Sequence, residues 1–268
     1  MSRLTQRFAE RMAANSSALV TYLIAGDPAP LVTVPAMHAL AGAGSDVIEL
    51  GIPFSDPEAE GADIQAGCER ALLHKVRLRD VLAMVAAFRE QDERTAVVLM
   101  GYLNSVEAMG YQRFAKAAAQ AGVDGVILVN LPPEEATELR QELSSRGVDL
   151  IFLLAPTTTD ERARHVLTEA SGFVYYVSLK GPTGSANLDV EGVRARLNQL
   201  RSMTTLPLAV GFGIRDGVTA RAVAGFADGV VVGSALVRRM GELAGQPEAI
   251  PAAAAAFAGE LRAAMDAV

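Results

Sequence analysis

ALVTYLIAGDPAPLVTVPAMHALAGAGSDVIELG, residues 18–51, holds two β-branched apolar runs, ALVTYLIAG (18–26) and DVIELG (46–51), on either side of a helical pattern, VPAMHALAGAG. Neither run alternates strictly between apolar and polar side chains. Both faces of each strand are therefore expected to be covered, as in a parallel sheet packed under helices. Gly at the end of the helical pattern is a usual C-terminal stop. The stretch reads as one complete βαβ unit.

Runs of the same kind recur at intervals of about 25 to 30 residues, the length of one βα unit. They are TAVVLMGY (95–102), GVILVN (125–130), LIFLLAP (150–156), FVYYVS (173–178), PLAVGFG (207–213) and GVVVGS (229–234). Between them lie SVEAMGYQRFAKAAAQAG and PPEEATELRQELSSRG, the second opening on prolines and acids as a helix N-terminus should. Eight such units fit a closed α/β (β/α)8 TIM barrel better than an open doubly wound sheet. An extra amphipathic helix over residues 2–13 precedes the first strand, and PAAAAAFAGELRAAMDA makes an alanine-rich last helix. No Pro/Gly/Ser-rich linker divides the chain, so residues 1–268 are expected to form a single barrel domain.

Composition narrows the function. Half the residues are hydrophobic and 21% are charged, which suits a large core, and the net charge of −7 gives nucleic-acid binding no electrostatic support. Basic residues are scattered, which argues against an anionic membrane surface. One cysteine, Cys68, rules out an internal disulfide framework and is compatible with a reducing compartment. The opening residues lack the apolar run of a signal peptide, and no apolar stretch is long enough to span a bilayer, so a cytoplasmic protein is expected.

In such a barrel the chemistry sits at the C-terminal ends of the strands. Glu49 stands out there, because burying a carboxylate costs several kcal/mol unless it finds partners or keeps its proton. Glu60 lies in the following loop, EAEGADIQ, where spacing alone serves equally for a second catalytic carboxyl or for a solvated acid. Asp63 suits a cap for the next helix. Glycines in GFGIRD and VVGSALV let backbone N–H groups approach a phosphate, and Gly213, Gly233 and Ser234 are the candidates. SLKGPTGSANLD has the length and glycine content of a lid. Lys180 in that loop is read as a lid or surface lysine, not a Schiff-base nucleophile. His38, His74 and His165 fall on helices or their ends, so no histidine cluster is expected to hold a metal.

ELGIPFSDP, with TYLIAGDP before it and LMGYLN, LPPEE, LLAPTT, YYVSLKGPTG, VGFGI and VVGSALV after it, closely resembles the tryptophan synthase alpha chain family over nearly the whole chain. The resemblance implies a lyase that cleaves indole-3-glycerol phosphate by retro-aldol chemistry to indole and glyceraldehyde 3-phosphate, in tryptophan biosynthesis. It implies no cofactor in this chain, with pyridoxal phosphate belonging to a beta-subunit partner in an alpha2beta2 assembly. It assigns catalysis to Glu49 and, in the second carboxylate role, Glu60. It further implies that Tyr22, Met100, Tyr102, Tyr175, Thr183 and Phe212 contact substrate, and that Gly184, Gly213, Gly233 and Ser234 hold the phosphate.

The departures are specific. PFSDPEAEGADIQ carries Glu58 for an apolar residue, Glu60 for aspartate, Ala62 for proline and Asp63 for threonine; Asn130 stands for aspartate and Pro182 for valine. Glu60 adds one methylene, and misplacing a catalytic group by about 1 Å can cost on the order of a hundredfold in rate. Loss of a loop proline is expected to loosen the loop. The changes at 58, 60, 62 and 63 are expected to weaken docking of the beta subunit. Two alternatives remain at this level: a diverged stand-alone lyase acting on the same or another phosphorylated substrate, and a non-catalytic homologue.

Overall fold

The computed structural model describes residues 2–178, 189–211 and 213–267. Its strands are β1 (Ala18–Ile24), β2 (Val47–Gly51), β3 (Ala96–Gly101), β4 (Gly125–Leu128), β5 (Asp149–Leu154), β6 (Val174–Val177), β7 (Leu208–Gly211) and β8 (Gly229–Val232). They pair in chain order, all parallel, and β8 closes on β1. The fold is the expected (β/α)8 TIM barrel. Most ladders stop one or two residues before the apolar runs do. Ala25 and Tyr102 lie beyond the last paired residue yet remain buried, so apolar character outlasts the strand.

The helices are α1 (Arg3–Ala13), α2 (Pro30–Gly42), α3 (Ala62–Leu73), α4 (Leu78–Arg89), α5 (Leu103–Met109), α6 (Tyr111–Ala121), α7 (Thr137–Ser144), α8 (Asp160–Glu169), α9 (Val190–Arg201), α10 (Gly217–Ala224), α11 (Ser234–Glu242) and α12 (Ile250–Asp266). SVEAMGYQRFAKAAAQAG is not one helix but two. Gly110, at φ +88°, ends α5 and starts α6 in a conformation that L side chains rarely adopt. PPEEATELRQELSSRG begins with a 3-10 turn over Pro133–Glu135 before α7 takes over.

Strand side chains sort into two apolar layers. One set, including Leu19, Leu23, Ile48 and Leu50, packs against the helices. The alternate set, including Val20, Tyr22, Val47, Val98, Met100, Ile127, Ile151, Tyr175 and Val231, fills the barrel interior. Leu4 and Phe8 of α1 join this inner layer, Phe8 lying 5.3 Å from the ring of Phe173. The extra N-terminal helix is therefore the plug at the N-terminal end of the barrel.

A repeated clasp fastens that end. Asp46 donates its N–H to the Leu19 carbonyl while its carboxylate accepts the Leu19 N–H, both at 2.9 Å. Asp124 does the same to Val97, Ser171 to Leu150 and Asp228 to Leu208. Each clasp runs from the residues leading into an even-numbered strand to the start of the odd-numbered strand before it. Arginines neutralise the three carboxylates: Arg11 and Arg262 at Asp46, Arg3 and Arg89 at Asp124, and Arg201 at Asp228.

Candidate active site

Glu49 sits on the inner face of β2, level with Tyr22 of β1 and Val98 of β3. It is 1% exposed, and neither carboxylate oxygen has a hydrogen-bond partner among the described residues. Burial, and then the negative charge of Glu60, push its pKa from 4.5 up to about 8. An unpartnered carboxyl in an apolar barrel is stable only with its proton on.

Glu60 is the acid that the loop turns inward. It is 8% exposed, and burial raises its pKa to about 7. Glu58, two residues earlier, is exposed. The backbone shows how the two are separated: Glu60 N–H donates to the Pro57 carbonyl at 3.0 Å, and Gln65 Nε2 donates to the Glu60 carbonyl at 2.8 Å. Phe54 stacks on Tyr102 with ring centroids 4.8 Å apart, and Ala59 N–H donates to the Tyr102 hydroxyl at 3.0 Å.

Two expectations about this loop change. The N-cap of α3 is Gly61, and Asp63 lies in the first turn without a capping hydrogen bond, where its charge still suits the helix dipole. Ala62 is the first residue of α3, so the position belongs to the helix start and not to the loop itself. Proline is favoured at that helical position because its missing N–H is one of the helix's orphans anyway.

Tyr22 and Tyr175 flank Glu49 deep in the barrel, and both are buried. Desolvation raises both phenol pKa values well above the ordinary range, with the charges of Glu49 and Glu60 adding to it. Two strand-end glycines make room for them: a Cβ on Gly51 would land on the Tyr22 ring, and one on Gly211 on the Tyr175 ring. Met100 lies in the same inner layer.

Just past β8, which pairs with β1, Gly233 is the N-cap of α11 and Ser234 its first residue. The first N–H groups of that helix have no intrahelical acceptor. Gly233 also packs beside Tyr22, so the helix start and the carboxyl pair open on one mouth. Gly213, two residues past the end of β7, adopts φ +77°. Thr183, Gly184 and Phe212, together with Lys180 and Pro182, lie outside the described residues.

Among the other departures, Asn130 is no idle change: its Oδ1 accepts the Leu103 N–H at 2.8 Å and its Nδ2 donates to Asn104 Oδ1 at 3.2 Å. The histidines lie apart from the mouth; His74 contacts the Pro28 carbonyl, His165 meets Glu134, and His38 packs on Phe88. Among the described residues no group of His, Cys, Asp or Glu could hold a metal ion.

Sequence reasoning missed several neighbours of the site. Phe54 and Cys68 approach the carboxyl loop, with Cys68 beside the Phe54 backbone and its thiol pKa raised chiefly by burial. Val129, Leu153 and Val177 pack on the inner layer near the mouth. Counting two residues on from Ile127, Ile151 and Tyr175 would have found these three. Asp27, fully buried, is gripped by Arg70 of α3 at 2.6 and 2.9 Å, and no local pattern announces that pair.

The family model described as Tryptophan synthase alpha chain matches residues 8–266. A curated tryptophan synthase alpha chain from Thioalkalivibrio sulfidiphilus is 58% identical over 266 residues, covering 99% of this chain and 100% of that one. Another, from Alkalilimnicola ehrlichii, is 55% identical, covering 99% and 97%. The crystal structure of tryptophan synthase subunit alpha from Legionella pneumophila superposes with a TM-score of 0.92 at 42% identity, covering 100% of both chains. A chain of Mycobacterium tuberculosis tryptophan synthase gives 0.89 at 37% identity, covering 99% and 98%.

Proposed function

The chain belongs to the tryptophan synthase alpha chain family, the lyase subunit of tryptophan biosynthesis, and from that premise we propose that it cleaves a carbon–carbon bond of indole-3-glycerol phosphate. The products are indole and glyceraldehyde 3-phosphate. The observation that carries the reading is the pair of buried carboxyls, Glu49 with a pKa of about 8 and Glu60 with one of about 7. Around neutral pH that order leaves the proton on Glu49 and ionises Glu60 first, a division of acid and anion roles set by environment. Because each charge acts on the other, the two values belong to the pair.

The proton inventory closes with one group. Glu49 as the acid protonates C3 of the indole ring. The resulting carboxylate takes the proton of the adjacent side-chain hydroxyl as the carbon–carbon bond breaks and its electrons return to the ring. Indole leaves with the new C3–H, the aldehyde forms, and Glu49 is again protonated. The Glu60 carboxylate accepts the indole N–H and stabilises the positive charge that protonation creates. Tyr22, Met100, Tyr102 and Tyr175 are the proposed walls of the pocket, and the family resemblance adds substrate contacts from Phe212 and Thr183. Gly184, Gly213, Gly233 and Ser234 hold the phosphate, the last two through the start of α11.

No cofactor is required in this chain; pyridoxal phosphate belongs to the beta subunit of the alpha2beta2 enzyme, which consumes the indole. Glu58 projects outward from the catalytic loop, and we take it to weaken docking of that subunit unless the partner offers a complementary charge. Residues 1–268 act as a single barrel domain, and no helix among the described residues is long and apolar enough to cross a membrane. The reaction is cytoplasmic in this reading.

Indole release from indole-3-glycerol phosphate tests the proposal. Turnover that falls by about 10² to 10⁴ in Glu49→Gln, with the fold intact by circular dichroism, supports it. Absence of turnover in the parent chain, with and without a beta subunit, and in Glu60→Asp as well, overturns it.

A further inference from the structure

The loop carrying Glu60 has little reason of its own to lie over the barrel mouth. Ser55, Asp56, Glu58 and Ala59 are exposed, and a buried acid favours retreat into water. Gln65 of α3 holds the Glu60 carbonyl, and two further contacts, both ending on one residue, oppose that retreat. The Tyr102 ring stacks on Phe54, near the start of the loop, with an interplanar angle of 18°. The Tyr102 hydroxyl accepts the N–H of Ala59, the residue immediately before Glu60.

Tyr102 is itself held. It is the N-cap of α5, and the next N–H along the chain, from Leu103, is taken by Asn130 Oδ1 from the end of β4. Asn130 in turn donates to Asn104. A rigid path therefore runs from the β4 end, through the start of α5, across the Tyr102 ring to the backbone next to Glu60. Asn130 can serve because its side-chain carbonyl offers the same acceptor geometry as a carboxylate oxygen.

Resting on the lyase reading of Glu60, we infer that Tyr102 is a positioning residue which fixes the catalytic loop through Phe54 and Ala59, with Asn130 as its anchor. This role is separate from lining the substrate pocket. A longer acid reaches the substrate at a workable angle only if the backbone behind it is fixed, since a displacement of about 1 Å costs on the order of a hundredfold in rate. The clamp supplies that constraint in the resting protein, before substrate arrives.

Tyr102→Phe keeps the ring and its stacking and removes only the acceptor. Amide exchange of the segment 54–61, measured without substrate, is expected to speed up roughly fivefold, the factor that one lost neutral hydrogen bond allows. Turnover of indole-3-glycerol phosphate is expected to show a lower kcat at nearly unchanged KM. The limb of the pH–rate profile that depends on Glu60 should move to lower pH, as a looser loop hydrates that carboxyl. Asn130→Ala, which frees the Leu103 N–H, should speed the same segment by a smaller factor. Exchange that ignores both substitutions overturns the inference, as does a raised KM with kcat retained, the signature of a pocket wall alone. Exchange needs no turnover, so a clamp that loosens in a chain with no lyase activity sinks the proposed reaction and leaves the clamp standing.

Discussion

At the scale of single residues, the proton on Glu49 controls what its position costs. The folded chain keeps that proton to about pH 8, whereas a glutamate in the unfolded chain loses it near 4.5. The penalty on the folded state therefore builds from about pH 4.5, where only the unfolded chain ionises, and is complete by about pH 8: the contribution to stability is complete below the unfolded value and is lost as pH rises through the folded one. Glu49→Gln abolishes this titration. Its melting temperature should match the parent at about pH 5 and exceed it by about 5 °C at about pH 9, followed by circular dichroism. A difference that stays constant across that range would mean that Glu49 is hydrated in solution. Glu49 is legible in the sequence because a carboxylate inside an apolar strand has no inexpensive structural explanation. Glu60 is not legible from spacing, since Asp56, Glu58 and Asp63 share its local surroundings; the family resemblance singles it out, and the fold of the loop onto Tyr102 gives the physical reason. The Asp27–Arg70 pair is harder still, its partners lying 43 positions apart.

At the scale of elements, the strand ends are where packing and chemistry meet. Gly51 and Gly211 close β2 and β7 and give Tyr22 and Tyr175 the space to lie flat beside Glu49. Gly51→Ala should force the Tyr22 ring aside, costing about 1–3 kcal/mol of stability from overpacking. The active-site wall moves with it, so KM for the phosphorylated indole substrate should rise; urea unfolding and steady-state kinetics read the two effects. Unaltered kinetics and stability would show that the ring does not occupy this space. All eight strands are legible because apolar runs buried on both faces leave a continuous signal. Their ends are not, because loops bury the next residues just as thoroughly. The break between α5 and α6 escapes the pattern for a related reason: apolar spacing continues across Gly110, and only its backbone angle reveals the turn.

At the scale of the molecule, the two ends of the barrel do opposite work. At the C-terminal mouth Glu49 and Glu60 have no paired cation among the described residues, whereas at the N-terminal end Asp46, Asp124 and Asp228 are each paired with arginine. Asp124 takes Arg3 at 2.9 Å, Arg89 at 2.7 Å and the Val97 N–H at 2.8 Å. Asp124→Ala would leave the largely buried Arg89 with Asp92, at 3.8 Å, as its remaining carboxylate, and should cost about 3–5 kcal/mol in urea unfolding without altering the substrate pocket. A loss well below that would mean that water replaces the carboxylate. The (β/α)8 closure follows from strand count and is legible, whereas this end is not, because Arg3 and Asp124 meet only once the barrel has closed. The clasps have a further consequence. Each joins an odd strand to the even strand after it, so the chain is sewn in successive pairs, and the turn at Gly147 between α7 and β5 crosses no stitch. Two separately expressed fragments divided at that turn should find each other and rebuild the barrel, whereas fragments divided between β5 and β6 would part Leu150 from Ser171 and should complement poorly.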